Sequence, residues 1–419
     1  MSQIDLDTTS LFMPEVLADP FAYYQAAIAQ RPVMVLPGTN ITLVSSYDLV
    51  AEATGRVEDF SSDFSDLLAG QRSADPDVTA ELEKGWPQRN TLLTADPPVH
   101  TRFRKLVNLA FSMKRVDAIE AEIRAIVERL VDAFPANGHI DFVRDFAIPL
   151  PVAVIAGQIG IGEADGSISP EGIATVKRWS DAFADRLGGM ISKERELECA
   201  REVVEFQHAM KKRIDARREN RTEDLLSDLV HATVEGERPL DDAELLSVLQ
   251  QLMVAGNETT TSTLAGGVLL LIQNPAEEAR VRADPALIPN MVEEMLRLES
   301  PSAGLWRIVK RDAELGGVTV PGNSMMMLRY AAANRDPAKF EDPDRFDPAR
   351  KNARSHLAFG RGIHMCVGNM LSRKELAVAF DVLLQKVKHF ELAPGAAIVH
   401  PPNMLLRGLR RLDLVVERA

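Results

Sequence analysis

One short segment, FGRGIHMCVG from Phe359, combines a thiol, a histidine and several glycines. Cys366 is one of only 2 cysteines in the chain, and a helical pattern begins directly after it. A thiolate at a helix N-terminus is stabilised by the helix dipole and by free backbone N–H groups. The glycines, which let a backbone come close to a large flat group, are Gly360, Gly362 and Gly368. Zinc would need more soft ligands than His364 supplies, whereas haem iron can take a single protein thiolate. A buried cysteine without a ligand, in a glycine-rich turn, is the alternative interpretation.

A second candidate is an acid next to an alcohol in the apolar segment LMVAGNETTTSTLAGG. The pattern predicts a long helix that an aspartate near Asp241 caps and that ends before Pro275. Gly256 in the middle of this helix costs about 1 kcal/mol relative to alanine, and close approach of a ligand would offset that cost. Glu258 and Thr259 together could relay protons through water. The alternative is a solvated glutamate followed by a threonine whose hydroxyl bonds back to a helix carbonyl.

Charged residues at helical spacing form two further pairs. Glu294 and Arg297 lie three residues apart in EEMLRLESP, and such a pair usually lies on a solvated helix face. His100 and Arg104 lie four residues apart on one face of a helix that a Pro-Pro pair is expected to open. Donors of this kind could bind an anionic group in an apolar pocket, and ordinary surface charge is the alternative.

Helices are the main elements that must position these residues. Apolar residues repeat at intervals of three and four in several long segments, such as EAEIRAIVERLVDAF and RKELAVAFDVLLQKV. The segments PVMVL and ITLVSS predict a hairpin, ELGGVTVPGNSMMMLRY predicts two strands around a Pro-Gly turn, and RGLRRLDLVVE predicts a last strand. Residues 65–90 lack a clear period and are expected to form a long mobile loop. Since no repeat or linker divides the chain, residues 1–419 are predicted to form one mainly α domain with small β-sheets at one side.

The composition excludes several classes of protein. Two cysteines cannot make a disulfide framework or a four-cysteine zinc site. The net charge of −13 argues against nonspecific nucleic-acid binding. The first residues lack the basic and apolar regions of a signal peptide, and the longest apolar run, LAGGVLLLI, is too short to span a bilayer. We therefore expect a cytoplasmic protein that binds no nucleic acid and does not insert into a membrane.

The pattern Phe-Gly-x-Gly-x-His-x-Cys-x-Gly resembles the haem-binding loop of the cytochrome P-450 family, and other segments match that family in order along nearly the whole chain. The resemblance implies that Cys366 is the axial thiolate ligand of haem b (iron protoporphyrin IX). It implies that Phe359 packs beside the thiolate, that Gly360 and Gly368 lie against the haem, and that His364 lies near a propionate or on the proximal surface. It also implies the family fold, a single-domain helical bundle around a buried haem.

The segment AGNETT is similar to the oxygen-activation motif of the same family. The resemblance implies that Ala255 and Gly256 contact the haem, and that Glu258 and Thr259 relay the two protons that splitting O2 requires. The Glu-x-x-Arg motif is also matched, and the buried structural network that it implies behind the cysteine loop consists of Glu294, Arg297 and Arg345. The propionate-binding residues that the resemblance implies are His100, Arg104, Arg307 and His356.

Electrons must come from a separate protein, because the chain has no glycine-rich nucleotide motif after a strand and no cysteine cluster for an iron–sulfur centre. The family usually uses a ferredoxin-type iron–sulfur protein and its NAD(P)H reductase. Basic residues in segments flanking the cysteine side could steer an acidic carrier; they are Arg102, Lys105, Lys114, Arg115, Arg350, Lys351, Arg354 and Arg361. Charge reversal at Arg115 and Arg361 is expected to slow the first electron transfer in a salt-dependent way.

The substrate pocket that family topology implies is mostly small and aliphatic. Besides the segments 65–90 and 176–191, it is expected to include Leu252, Met253, Ala303, Gly304, Leu305, Met404 and Leu405. Because aromatic residues make up only 5% of the chain, a roomy pocket for a neutral lipophile of terpenoid or steroid size is predicted. A fatty acid is the alternative if Arg72, Arg178 or Arg186 points inward.

These features predict a haem-thiolate monooxygenase, active as a monomer, that inserts one oxygen atom from O2 into a C–H bond. The alternatives are a fatty-acid hydroxylase, a peroxide-driven haem-thiolate enzyme and, outside enzymes, a haem-based gas or redox sensor. The acid–alcohol pair favours the monooxygenase, because neither a sensor nor a peroxide-driven enzyme needs that relay.

Overall fold

The computed structural model describes residues 4–64, 75–162, 168–188 and 191–419, and the chain packs as two compact units. The first unit contains Met1–Ser62, Glu120–Ile148 and Thr259–Ala419, and the second contains Asp63–Ile119 and Pro149–Glu258. The prediction that residues 1–419 form one domain stays a prediction.

Helices dominate both units. In chain order they are α1 (Pro14–Ala18), α2 (Phe21–Gln30), α3 (Tyr47–Gly55), α4 (Pro76–Leu82), α5 (Val99–Ala110), α6 (Met113–Ala118), α7 (Glu120–Asp132), α8 (Pro149–Gln158), α9 (Pro170–Gly188), α10 (Lys193–Glu219), α11 (Leu225–Val230), α12 (Asp242–Gln273), α13 (Pro275–Ala283), α14 (Ile288–Glu299), α15 (Tyr330–Ala333) and α16 (Asn369–Lys386). The long helix α12 begins in the second unit and ends in the first. The mainly α prediction is confirmed.

The strands of the described residues all belong to the first unit. They are β1 (Val33–Val35), β2 (Ile41–Val44), β3 (Phe60–Ser61), β4 (Asn137–Asp141), β5 (Leu305–Val309), β6 (Ala313–Leu315), β7 (Val318–Val320), β8 (Met325–Leu328), β9 (Val387–Leu392) and β10 (Asp413–Arg418). They form a five-stranded sheet in the order β1-β2-β8-β5-β3, a three-stranded sheet β4-β10-β9 and the pair β6-β7. Strands β2 and β8 pair in parallel, and the other ladders are antiparallel.

The five-stranded sheet has an apolar cluster on each face, because alternate side chains of a strand point to opposite faces. In β8, Met326 and Leu328 belong to one cluster of buried residues, while Met327 belongs to the other. In β2, Val44 and Leu43 divide in the same way. A sheet buried on both faces gives β5 and the residues at its start a rigid position within the first unit.

The start of α12 follows from its sequence. Asp241 Oδ1 accepts from the N–H of Glu244 at 2.9 Å, and Glu244 Oε2 accepts from the N–H of Asp241 at 3.0 Å. This reciprocal pair is a capping box, which satisfies two backbone donors at the end of the helix. The predicted cap, and the predicted end before Pro275, are confirmed.

One local prediction is confirmed with an addition, and another needs correction. The segment from Glu314 contains two strands, β7 and β8, on either side of Pro321-Gly322, as predicted, but β7 pairs with β6 across Gly316 and Gly317, while β8 joins the larger sheet. Both glycines have positive φ, which suits the tight turn between β6 and β7, a turn that was not predicted from the sequence. The segment 65–90 is not one loop, since Pro76–Leu82 is helical and Asp75 caps that helix; residues 65–74 lie outside the described residues. The hairpin β1-β2 and the last strand β10 are confirmed.

In the described ranges, no helix combines the length and the apolar character that crossing a membrane requires.

Candidate active site

Cys366 lies in a closed loop at the start of α16 in the first unit. Its backbone N–H donates to the carbonyl of Phe359 at 2.8 Å, and its side chain is half-buried. Gly360 and Gly362 have φ of 66° and 72°, in the left-handed region that favours glycine. Because α16 begins at Asn369, the predicted order of loop, cysteine and helix is present.

His356 is engaged through both ring nitrogens inside the first unit. Nε2 donates to Glu293 Oε2 at 2.9 Å, and Nδ1 accepts from the N–H of Ala358 at 3.1 Å. Burial lowers the pKa of His356, so the ring is neutral and carries its proton on Nε2. Binding of a propionate by His356 would require exchange of one of these partners, and that role stays a prediction.

Glu293 is the acceptor at which several donors converge. Arg373 Nε and Nη2 donate to its two oxygens at 2.7 and 3.1 Å, in addition to the bond from His356. Burial raises the pKa of Glu293, but the hydrogen bonds from His356 and Arg373 outweigh burial and lower the pKa to about 2. The carboxylate is therefore charged at any physiological pH. Sequence reasoning missed Glu293 and Arg373; their only signal was the acidic pair at 293–294 and an arginine one turn into α16.

The buried network behind the loop contains Glu294 and Arg297, as predicted, but its third side chain is Arg350 and not Arg345. Arg297 Nε and Nη2 donate to Glu294 at 2.7 and 2.9 Å, and Arg350 Nε donates to Glu294 Oε1 at 2.8 Å. The side chain of Arg345 is exposed, and only its backbone carbonyl accepts from Arg297 and Arg350. The segment DPDRFDPAR offers two arginines, and spacing alone does not tell which of them turns inward.

Arg307 is a buried cation, only 3% exposed, on strand β5. Its Nη1 donates to the carbonyl of Trp306 at 2.7 Å, and it also hydrogen-bonds the hydroxyl of Tyr330. Burial raises the pKa of Tyr330, and the bond from Arg307 opposes that rise. Among the residues that the structure describes, no carboxylate forms an ion pair with Arg307. A buried guanidinium without a counter-charge is costly, so this position suits an anionic ligand.

His100 and Arg104 lie on α5 in the second unit, where the sequence placed them. His100 is 2% exposed, and burial lowers its pKa, with Arg104 adding to the decrease. A neutral imidazole beside a guanidinium can donate hydrogen bonds to a carboxylate.

The carboxylate of Glu258 has a cationic partner on α9 that sequence reasoning missed. Lys177 Nζ lies 3.2 Å from Glu258 Oε1 and also contacts Asp181. Burial lowers the pKa of Lys177, but the charges of Glu258 and Asp181 outweigh burial and raise it, so the ammonium stays charged. The carbonyl of Thr259, the next residue, accepts from the hydroxyl of Thr263 at 2.9 Å. No sequence signal connects positions 177 and 258, which lie 81 residues apart.

The residues predicted to line the substrate pocket are described in both units. In the second unit, Leu252 and Met253 are buried on α12. In the first unit, the N–H of Ala303 donates to the carbonyl of Leu405 at 2.8 Å, which brings two of the predicted segments together. A Cβ at Gly304 would lie 2.2 Å from the carbonyl of Leu328, so only glycine fits there. Leu305 and Met404 are half-buried. Their contact with a substrate stays a prediction.

The predicted basic surface is smaller than its sequence suggests. Arg350 is buried on Glu294, Arg115 binds Asp228, and Arg102 binds Glu244 at 2.8 Å. Lys105, Lys114, Lys351, Arg354 and Arg361 are exposed. The sequence identified the charges, but only their packing shows which are already neutralised.

Comparison with known proteins gives concordant matches. The profile of the cytochrome P-450 family matches residues 175–409. Cytochrome P-450 monooxygenase PikC of Streptomyces venezuelae is 34% identical over 405 residues, covering 95% of this chain and 91% of that protein. Steroid C26-monooxygenase of Mycobacterium tuberculosis is 34% identical over 395 residues, covering 94% of this chain and 93% of that protein. The structure of a cytochrome P-450 from Chondromyces apiculatus matches with a TM-score of 0.85 at 32% identity, covering 99% of this chain and 100% of that one.

Proposed function

The chain belongs to the cytochrome P-450 family and is one of its monooxygenases, and on that premise we propose that Cys366 ligates haem b and that the enzyme hydroxylates a neutral lipophile of terpenoid or steroid size. The observation that carries the proposal is that the first unit contains both a thiol suited to iron and a buried cation suited to a propionate. A thiol stands directly before a helix N-terminus, and a buried guanidinium, Arg307, has no carboxylate partner among the described residues.

The residues present fit a haem. A thiolate is a soft ligand for iron and needs no second protein ligand, and no group of three or more potential metal ligands occurs in the described part of the chain. Haem propionates require buried donors, and Arg307 is a candidate within the first unit. When bound, the haem supplies the activation of O2 for insertion of one oxygen atom into a C–H bond.

We assign the following roles to the protein groups. Glu258 holds and releases a proton at its carboxylate, and the Thr259 hydroxyl passes protons on through water. Lys177 orients the Glu258 carboxylate, since the ammonium lies 3.2 Å from Oε1. The network of Glu294, Arg297 and Arg350 holds the segment before the cysteine loop and takes no part in chemistry.

Two redox proteins, a ferredoxin-type iron–sulfur protein and its NAD(P)H reductase, are proposed as the electron source. Exposed cations at Lys351, Arg354 and Arg361 flank the cysteine loop within the first unit. They would attract an acidic carrier through long-range electrostatics.

A fatty acid is less well supported as the substrate than a neutral lipophile. Arg178, one of the three cations that could take its carboxylate, is bound to Glu205 at 2.8 and 2.9 Å. Arg72 lies outside the described residues. Arg186 is half-buried, and burial lowers its pKa, so it is the remaining candidate. One relative is named as a steroid monooxygenase, which supports a ring compound.

The test is an absorption titration of the ferric haem protein with two panels, one of steroids and terpenoids and one of straight-chain fatty acids. We expect a saturable low-to-high-spin Soret shift with ring compounds alone. A shift with fatty acids alone, lost in Arg186→Leu, would replace the neutral pocket with a carboxylate site.

Turnover separates the enzyme from a haem-based sensor. With a surrogate ferredoxin, its reductase and NAD(P)H, the ring compound that gives the largest spin shift should gain one oxygen atom in mass spectrometry. Binding without any product under these conditions would favour the sensor.

A further inference from the structure

Arg373, on the first turns of α16, contacts three groups of the first unit at once: Glu293, Asn369 and Phe359. Its Nε and Nη2 bind Glu293, and its Nη1 donates to Asn369 Oδ1 at 2.6 Å. The face of the guanidinium lies 4.5 Å from the ring centroid of Phe359. One side chain therefore contacts a buried acid, an amide and an aromatic ring at the same time.

The contact with Asn369 continues to the cysteine. Asn369 Nδ2 donates to the backbone carbonyl of Cys366 at 2.7 Å. The Asn369 amide that polarises this carbonyl is itself polarised by a cation, because the Arg373 guanidinium donates a hydrogen bond to the oxygen of the same amide. Hydrogen bonds arranged head to tail strengthen one another, and more so where water is excluded.

Phe359 is held from two sides. The guanidinium of Arg373 covers one part of the ring, and the His356 ring centroid lies 5.6 Å from that of Phe359. His356 and Arg373 share the Glu293 carboxylate. Since the Phe359 carbonyl also accepts from the N–H of Cys366, movement of Arg373 would disturb both the donor to the Cys366 carbonyl and the acceptor of the Cys366 N–H.

We propose that Arg373 is a positioning residue that, through Asn369 and Phe359, limits how strongly the Cys366 thiolate donates electrons to haem iron and so sets the reduction potential. The inference rests on the proposed function, because it requires Cys366 to be the ligand. Hydrogen bonds and charges next to a metal ligand tune the electron density of the metal. A cation linked to the cysteine peptide withdraws density from the thiolate and favours the ferrous state.

The first measurement is the ferric–ferrous midpoint potential, in the absence of any redox partner, of the wild type, Arg373→Gln, Asn369→Leu and the double variant. We expect both single variants to shift the potential in the negative direction. The double variant should shift it no further than Arg373→Gln, because both substitutions break one path. Arg373→Lys keeps a charge but not the fork that binds two groups at once, so its shift should be intermediate.

Arg354→Gln is the matched control. Arg354 also reaches Glu293, at 3.4 Å, but its side chain is 72% exposed. Within the described residues Arg354 forms no hydrogen bond to Asn369 and no ring contact with Phe359, and its loss should leave the potential unchanged. Equal shifts in Arg354→Gln and Arg373→Gln would mean that bulk charge, and not the path through Asn369, acts on the cysteine.

A second readout does not need haem. Hydrogen exchange of the apoprotein should become faster in residues 359–368 of Arg373→Gln and remain unchanged in Arg354→Gln, because the loop loses a support. Unchanged potentials in Arg373→Gln and Asn369→Leu, with an intact thiolate-type ferrous–CO spectrum, would overturn the inference alone. A wild type that lacks the thiolate-type spectrum would instead overturn the proposed function.

Discussion

Several charged residues in this protein form ion pairs with residues that are distant in sequence. Lys177 holds Glu258 at 3.2 Å, and Arg350 holds Glu294 at 2.8 Å. A half-buried carboxylate with a fixed cation has a defined orientation, which an acid that relays protons needs. The identity of each partner therefore matters more than the number of charges.

Thr259→Ala should uncouple reductant consumption from product formation. Removal of the hydroxyl takes away one member of the proposed relay while the helix backbone stays intact, since alanine favours a helix. We expect the fraction of NAD(P)H recovered as product to fall several-fold and peroxide release to rise, measured side by side with the same substrate. Thr263→Ala, one turn later, removes a hydroxyl whose one hydrogen bond within the described residues goes back to a helix carbonyl, and it should keep normal coupling. Normal coupling in Thr259→Ala would show that the relay is wrong.

Arg350→Met should destabilise the protein strongly, and Arg345→Met should not. Removing one partner of a buried ion pair leaves a buried charge and costs about 3–5 kcal/mol, and Arg350 is 8% exposed on a fully buried Glu294. Exposed Arg345 is expected to change stability by about 0.5 kcal/mol or less. Urea unfolding midpoints of both variants, with retained haem counted in parallel, provide the measurement. Similar losses of stability in the two variants would mean that the Arg345 side chain belongs to the network around Glu294.

At the level of elements, α16 connects the cysteine loop to the interior of the first unit. Its N-terminal turns carry Asn369 and Arg373 toward the loop, while Glu375, two residues later, is 4% exposed. Glu375 Oε2 has no hydrogen-bond partner among the described residues. Burial raises the pKa of Glu375 well above its usual value, so the helix carries a carboxyl that resists ionisation.

Glu375→Gln should stabilise the protein more at high pH than at low pH. A folded-state pKa above the unfolded value gives stability that is present below the unfolded pKa and lost as the pH rises through the folded pKa. The amide cannot ionise, so the gain of Glu375→Gln over the wild type should increase from pH 5 to pH 8, by on the order of 1–3 kcal/mol. Melting temperatures across that range test this expectation. Glu391→Gln, at a side chain 60% exposed, is the control, and a gain that does not depend on pH would contradict the argument.

For the whole molecule, the balance of charge is acidic, with a net charge of −13. Approach of the proposed acidic carrier would therefore depend on a local group of cations and not on the overall field. The exposed cations near the cysteine loop would supply this, whereas Arg115 is neutralised by Asp228. Arg115 and Arg361 were both expected to steer the partner, and of these two Arg361 remains the candidate.

Arg361→Glu should slow the first electron transfer from a ferredoxin by about tenfold at low salt, within the range of electrostatic steering. The effect should shrink as salt rises, because screening shortens the reach of surface charges. Stopped-flow reduction under CO at several ionic strengths measures it. Arg345→Glu makes the same charge change at an exposed side chain outside the loop and should have a smaller effect. Equal rates for Arg361→Glu and the wild type at low salt would remove this surface from the docking site.

Much of the site could be predicted from sequence because its key features are local. The spacing of glycines around Cys366, the cap at Asp241 and the helical pairs at 100–104 and 294–297 depend on neighbours within about one turn. Backbone dihedrals and helix periodicity determine such features directly. The hairpin β1-β2 follows for the same reason.

Only the tertiary structure decided which distant groups meet. It placed Arg350 and not Arg345 against Glu294, and it placed Lys177 next to Glu258. It also connected Arg373 to the Cys366 carbonyl through Asn369. Each choice depends on burial, since a charge removed from water must find a partner wherever packing places one. Sequence spacing contains no information about that placement, and so the charged residues were recognised while most of their partners were not.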